Sequence, residues 1–231
     1  MSKKIVSFGD SFVFGTELKD NSDGSKAWPA LVAKELDIEY ETLSVPGCGN
    51  ENITRQIFTY FSNNSCHDTL AVINWTWGAR WDFYISGVET WTTLGLTCVP
   101  SKLAEHVSLT EAEKILEFYK NYPGNSTLWD KMRSLQTIYT AQQYMKSLGV
   151  VNIQTYMDAG LWDQTWHAPD YIQTLQALTK DDLQNFQDKS FLDWSYQHGH
   201  AVTDVGLHPL ETAHVAARDL WIDTYSRALN L

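Results

Sequence analysis

Three short stretches of this 231-residue chain carry side chains whose types and spacing suit nucleophilic chemistry. Gly9-Asp10-Ser11 ends an apolar run that starts at Ile5. Pro46-Gly47-Cys48-Gly49-Asn50 closes a second run, Tyr40 to Val45. Asp204 and His208 stand in "TDVGLHPLETAH", which opens the last helical pattern. A serine hydroxyl is a poor nucleophile until a base removes its proton, and a histidine is a suitable base. A carboxylate on the other imidazole nitrogen fixes the tautomer and stabilises the imidazolium, the role expected of Asp204. The backbone N–H groups of Ser11 and Gly47 are candidate donors to an oxyanion, because glycine lets backbone approach a reacting centre. Against this stands a plainer reading. Ser or Asp ahead of a helix is often only a cap, and Gly-Asp-Ser alone is a weak signal.

The elements that would position these residues can be read from periodicity. Ile5 to Phe8 and Tyr40 to Val45 read as strands, and Trp28 to Leu36 as a helix with Pro29 in its first turn. From Glu51, Ile53, Ile57, Tyr60 and Phe61 recur at helical spacing. "TLAVINW", Thr69 to Trp75, is a near-continuous apolar run, as in a strand covered on both faces. This β-α-β-α-β order favours a parallel sheet. Arg80 to Leu103 reads as an irregular aromatic insertion, placed at about 80–105. Ser108 and Glu111 form a capping box for a helix stopped by Pro123-Gly124. Thr127 to Leu148 is a long helix ended by Gly149, "VVNIQTY" a fourth strand, and Pro209 to Leu229 the last helix. Between Asp158 and Gln197 the chain is polar and aromatic, with one or two short helices. The expected fold is a three-layer α/β/α sandwich around a flavodoxin-like parallel sheet of four or five strands. It is a single domain over 1–231, since no linker or repeat breaks the pattern.

In an open α/β sheet, sites form beyond the carboxyl ends of the strands. The segments after the first three strands, and the one before the last helix, therefore converge on one edge. The third of them, Trp75 to Arg80, adds Thr76, Trp77 and Arg80, with Trp81 following.

Composition narrows the partners. The formal charge is −11 and the basic residues form no long cluster, which argues against nucleic acid. Three cysteines without Cys-x-x-Cys spacing make a disulfide framework or structural zinc site unlikely on pattern. No stretch approaches the ~20 apolar residues of a membrane span. The start of the chain does not read as a signal peptide, so synthesis in a cytoplasm is expected. Ten tryptophans are many for this length; in loops they would offer flat faces to sugars. His198-Gly199-His200 has no third metal ligand at sensible spacing and reads as a polar loop.

With these motifs in order, the chain resembles the SGNH, or GDSL-like, hydrolases. "SFGDSFVFG" resembles their first block, "VPGCGNENI" their second and "GLHPLETAH" their last. The resemblance implies an esterase, deacetylase or lipase-type activity with no metal or organic cofactor. It implies Ser11 as nucleophile and oxyanion donor, Gly47 as second donor and His208 as base. The expected substrate is a small-molecule or glycan ester, with O-acetylated carbohydrate suggested by the tryptophan-rich loops; Trp77, Arg80 and Trp81 are the candidate substrate contacts. Two departures stand out. The family's third block carries an Asn that donates to the oxyanion, whereas "NWTWGAR" has Asn74 too early. Thr76, Arg80 or Asn50 are the candidate replacements. The family's Asp also lies three residues before its His, where this chain has Val205, with Asp204 one position earlier. The compact third block resembles SGNH proteins of tailed bacteriophages, which would allow association with a virion. The alternative is a binding or virion structural protein that keeps the fold with weakened catalysis.

Overall fold

The computed structural model describes residues 3–95, 98–121, 127–163 and 168–231. Four strands, β1 (Lys4–Phe8), β2 (Glu39–Thr42), β3 (Thr69–Trp75) and β6 (Val151–Tyr156), form one sheet in the order β2-β1-β3-β6. Every pairing in it is parallel. The helices α2 (Trp28–Glu35), α3 (Asn50–Asn63), α6 (Thr127–Leu148) and α9 (Glu211–Ala228) flank it. All residues of β3 are buried, as the apolar run required of a central strand covered on both faces.

Alternation along the strands divides the core in two. Val6, Phe8, Ala71, Ile73 and Trp75 pack with Ile53 and Ile57 of α3 and Leu135 and Ile138 of α6. Ile5, Leu70, Val72 and Ile153 point the other way, toward Trp28 of α2 and Ala213, Ala217 and Trp221 of α9. Successive strand side chains face opposite layers, so one short strand supplies both cores. The fold is therefore the three-layer sandwich expected, with four strands.

The stretch from Arg80 is more regular than its composition suggests. Strands β4 (Trp81–Ile85) and β5 (Thr90–Leu94) pair antiparallel in a second, two-stranded sheet. Tyr84 and Trp91 sit opposite each other on its outer face, with ring centroids 5.4 Å apart. Aromatic residues on both faces hide the period-two pattern that normally reveals a strand. After it come α4 (Pro100–Leu103) and α5 (Leu109–Asn121). The Ser108–Glu111 capping box forms as expected: Glu111 accepts from the Ser108 N–H at 3.0 Å, and Ser108 Oγ from the Glu111 N–H at 3.3 Å. Pro123-Gly124 and Trp166 lie outside the described residues. The polar stretch before α9 holds α7 (Asp170–Lys180) and α8 (Phe191–Gln197).

One buried contact ties α2 to α9. His214 Nδ1 accepts from the Trp28 N–H at 3.0 Å, and the ring lies fully buried against Phe191. Burial lowers the His214 pKa from 6.5 to about 3. The unfolded chain thus takes up a proton below about pH 6.5 that the folded chain refuses until about pH 3. Stability contributed by neutral His214 is present above 6.5 and is lost as pH falls, by about 1.4 kcal/mol per pH unit. Urea unfolding of the parent should weaken more steeply between about pH 6.5 and 4 than that of His214→Gln. Equal slopes for the two would remove His214 from the acid response.

Candidate active site

Strand order places the site. The chain leaves β1 toward β2 on one side, then returns to β3 on the other. The crevice beyond β1 and β3 is the switch point where α/β sheets bind ligands. Asp10 and Ser11 follow β1 directly, and Thr76 follows β3.

Asp10 and Ser11 divide the two readings of the first motif between them. Asp10 is the cap: its Oδ1 accepts from the Phe12 N–H at 3.0 Å, at the head of α1 (Ser11–Phe14). Ser11 is not needed for capping. Its hydroxyl makes no hydrogen bond with a described residue, and the residue is 5% exposed. The Ser11 and Gly47 N–H groups likewise donate to no described residue, and Gly47 sits on a turn at φ +81°.

Glu17, which the sequence reading passed over, is the partner of His208. The Glu17 Oε2 lies 2.9 Å from His208 Nδ1 and also accepts from the Thr203 hydroxyl. Thr203 Oγ1 in turn accepts from the His208 N–H at 3.1 Å, and the Thr203 N–H donates to the His208 carbonyl at 3.0 Å. The Thr203 hydroxyl, then the His208 ring, hold the Glu17 carboxyl below its ordinary 4.5. Gly15 (φ +74°) ends α1 in the left-handed conformation and sends the chain back toward His208. Glu17 and Leu207 also have positive φ, +69° and +54°, on either side of the pair. Non-glycine residues hold such angles at a cost of order 1–3 kcal/mol, and they concentrate at functional sites. At Gly206 the approach is closer still. A Cβ there would come 2.4 Å from His208 Nδ1 and 2.7 Å from Glu17 Oε2.

Asp204, the expected acid, is exposed and makes no hydrogen bond or ion pair with a described residue. It sits at the tip of the loop beside Val205, which is 94% exposed. The loop closes through the Thr203–His208 bonds and a Val202–Pro209 bridge, which leaves Asp204 on its outer side. Glu211 is also engaged elsewhere, accepting from the Lys19 N–H at 3.1 Å.

The three candidates for the missing oxyanion donor separate clearly. Asn50 is fully buried and committed to the Thr76 backbone: Oδ1 accepts from its N–H at 2.9 Å, and Nδ2 donates to its carbonyl at 3.2 Å. The Thr76 hydroxyl donates to Asp10 Oδ2 at 2.7 Å. Arg80 joins the same cluster. Its Nη1 lies 2.9 Å from Asp10 Oδ2, 3.0 Å from the Cys48 carbonyl and 2.7 Å from Thr76 Oγ1. Nη2 and Nε donate to no described residue. The guanidinium therefore touches Asp10 and Cys48, the immediate neighbours of Ser11 and Gly47. Asp82, two residues after Arg80, does not pair with it but caps α3, accepting from the N–H groups of Gly49 (3.0 Å) and Asn52 (2.7 Å). Burial raises the Asp82 carboxyl above 3.8, against the pull of the Thr93 hydroxyl and those N–H groups.

Trp77 packs on Phe12 at 5.4 Å, with Arg80 stacked over its ring at 4.7 Å. Trp81 turns away from Ser11's segment, donating its Nε1–H to Asp130 Oδ1 at 3.0 Å. Cys48 is buried, and burial pushes its thiol well above 9.0, so it stays protonated and is no rival nucleophile. His198 Nδ1 lies 2.9 Å from the Trp194 carbonyl, and no group of three metal-type ligands occurs among the described residues. No described helix is long and apolar enough to cross a membrane.

No protein-family model and no curated protein matches this sequence. Solved structures do match over nearly the whole chain. A lipolytic protein of the G-D-S-L family from Veillonella parvula is 11% identical, with 98% of this chain and 100% of that one covered and a TM-score of 0.53. The psychrotrophic esterase EstA of a Pseudoalteromonas species gives 13%, 99%, 100% and 0.52. A lipase/acylhydrolase from Enterococcus faecalis gives 14%, 97%, 96% and 0.50. At such identities the likeness is one of fold. The chain has the mixed α/β fold of the SGNH, or GDSL-like, hydrolases.

Proposed function

We propose that this chain is a serine hydrolase acting on esters, with Ser11 as nucleophile, His208 as base and Glu17 as the orienting carboxylate. The observation that carries the reading is the Glu17–His208 bond. A carboxylate that accepts at Nδ1 keeps the proton there and leaves Nε2 as the lone-pair nitrogen. Nε2 then takes the Ser11 proton as Oγ attacks the acyl carbonyl, and returns it to the leaving alcohol. Water repeats the sequence on the acyl-serine. Ser11 and His208 are not hydrogen-bonded in the free protein, and such contacts commonly tighten only when substrate binds.

The developing oxyanion is assigned to the Ser11 and Gly47 N–H groups, with Arg80 in the place of the absent Asn. Arg80→Met should lower kcat by about 10²–10³-fold, the loss typical of one oxyanion donor, with little change in KM. A rise in KM alone would make Arg80 a substrate-binding residue instead.

A carbohydrate ester has less support than an ester in general. Trp75 and Trp162 are buried in the core and Trp77 is packed against Phe12 and Arg80, so none of these three offers an open face to a sugar, whereas Trp91 on the hairpin is 44% exposed. The alternative of a catalytically weakened binding protein rested on the non-standard third block and on the displaced Asp204; an acid supplied by Glu17 removes the second of these motives. Labelling by a fluorophosphonate, with the modified residue located by peptide mass spectrometry, tests the reading. Modification at Ser11 is expected, and an unlabelled folded protein would refute it.

A further inference from the structure

Along the β2 edge of the sheet, a groove of about 560 Å³ runs between residues 42–45 and α3. Its volume is that of a small-ligand site. Its walls are more polar than those of either core: Arg55, Gln56, Thr59, Asn63 and Asn64 line it from the helix side. Positions 55, 59 and 63 are four apart, so they stand in one row on α3. At about 1.5 Å of rise per residue the row is about 12 Å long.

Arg55 begins the row with its charge uncommitted. Its guanidinium lies over the Trp91 ring, 3.8 Å from the centroid, and makes no hydrogen bond or ion pair with a described residue. Helical spacing would pair it with Glu51, four residues earlier. Glu51 pairs instead with Arg133, and Asp82 accepts from the N–H groups of Gly49 and Asn52 and from the Thr93 hydroxyl. Stacking holds the guanidinium flat and uses none of its N–H donors. A flat guanidinium with free donor edges takes a carboxylate in two parallel hydrogen bonds. Farther along the row the free groups are amide oxygens and a hydroxyl. Asn63 and Asn64 donate Nδ2–H to the Thr59 and Tyr60 carbonyls at 2.7 and 2.8 Å, and neither Oδ1 has a partner among the described residues. The Thr59 hydroxyl has none either, and Gln56 Oε1 is buried without one.

We propose that this groove binds a saccharide that carries a carboxylate, with the carboxylate on Arg55 and the hydroxyls along Thr59, Asn63 and Asn64. The inference stands apart from the ester-hydrolase reading, since nothing in it requires turnover. The occupant follows from the free groups. A cation followed by a row of acceptors matches a ligand with an anionic group at one end and hydroxyl donors beyond it. A hydrocarbon would take water from the amides and the hydroxyl without replacing its hydrogen bonds. Acetate would reach Arg55 and leave the rest of the row unused. Nucleic acid needs several cations, and Arg55 is the only one lining the groove among the described residues.

The test is calorimetric titration of the parent, Arg55→Met, Arg55→Lys and Thr59→Val with digalacturonate, its neutral dimethyl ester and acetate. The parent should bind digalacturonate about tenfold or more tighter than either of the others, since hydrogen bonds to a charged group are the stronger kind. Arg55→Met should weaken digalacturonate by about 10- to 100-fold and erase its advantage over the ester. Arg55→Lys keeps the charge without the fork and should fall between the two. Thr59→Val should weaken acid and ester alike, by about two- to tenfold. Thr59 is exposed, so this variant keeps the test open should either Arg55 variant lose its circular dichroism spectrum. Absence of digalacturonate binding by the parent would overturn the proposal, as would equal affinity for acid and ester. Acetate binding as tight as digalacturonate would reduce the groove to an anion site, and unchanged binding by folded Arg55→Met would place the saccharide elsewhere; either result overturns it too. Digalacturonate binding that depends on Arg55, in a protein that no fluorophosphonate labels, would keep this inference and remove the hydrolase reading.

Discussion

Replacing Ser11 with alanine is expected to lower ester turnover by about 10⁴–10⁶-fold and to abolish fluorophosphonate labelling, with the circular dichroism spectrum unchanged. The fold should survive because Asp10, not Ser11, caps α1, and because the Ser11 hydroxyl bonds to no described residue. The nearest rival, Cys48, is a buried protonated thiol on the Gly9 carbonyl at 3.4 Å and has no base. His208→Gln should cost nearly as much as Ser11→Ala, and the double variant no more than either, since nucleophile and base act as one unit. Turnover by Ser11→Ala within tenfold of the parent's would refute the assignment, as would losses that simply add.

Glu17→Gln is expected to lower kcat by up to about 10⁴-fold at unchanged KM and unchanged fold. The amide can donate to Nδ1, which moves the imidazole proton to Nε2 and leaves Ser11 without a base. Glu17→Asp keeps the charge but shortens the reach and should recover part of the rate. A purely structural role for Glu17 predicts the opposite order, with the isosteric glutamine the milder change. Asp204→Asn, on an exposed loop tip, should change kcat by less than about threefold, as surface substitutions usually do. Kinetics of the three variants on one ester decide the matter. A large loss for Asp204→Asn beside a small one for Glu17→Gln would restore Asp204 as the acid.

The fold was legible because its signals are local. A near-continuous apolar run of seven residues with β-branched side chains reads as a strand covered on both faces, and Thr127 to Leu148 has the bounds in space that its pattern has in sequence. The places of Ser11 and His208 in the fold were legible for the same reason: Ser11 follows β1 and His208 shortly precedes α9, elements whose type their own patterns declare. The hairpin after Arg80 was not, because Tyr84 and Trp91 present aromatic rings to solvent and erase the alternation.

Glu17 shows what sequence could not decide. It lies 191 residues from its partner, in a polar stretch that reads as a loop. Proximity along the chain favoured Asp204, but the Thr203–His208 bonds turn that residue outward. What brings Glu17 in is a left-handed turn at Gly15, a strained φ at Glu17 itself and the absence of a side chain at Gly206. Two of these three features are glycines visible in the sequence, yet their purpose appears only once β1 and α9 are packed on the same sheet. The sequence determines which elements form and which residues stand at their ends. Which carboxylate meets the imidazole depends on a few ångströms of approach between segments far apart in the chain, and only tertiary packing sets that distance.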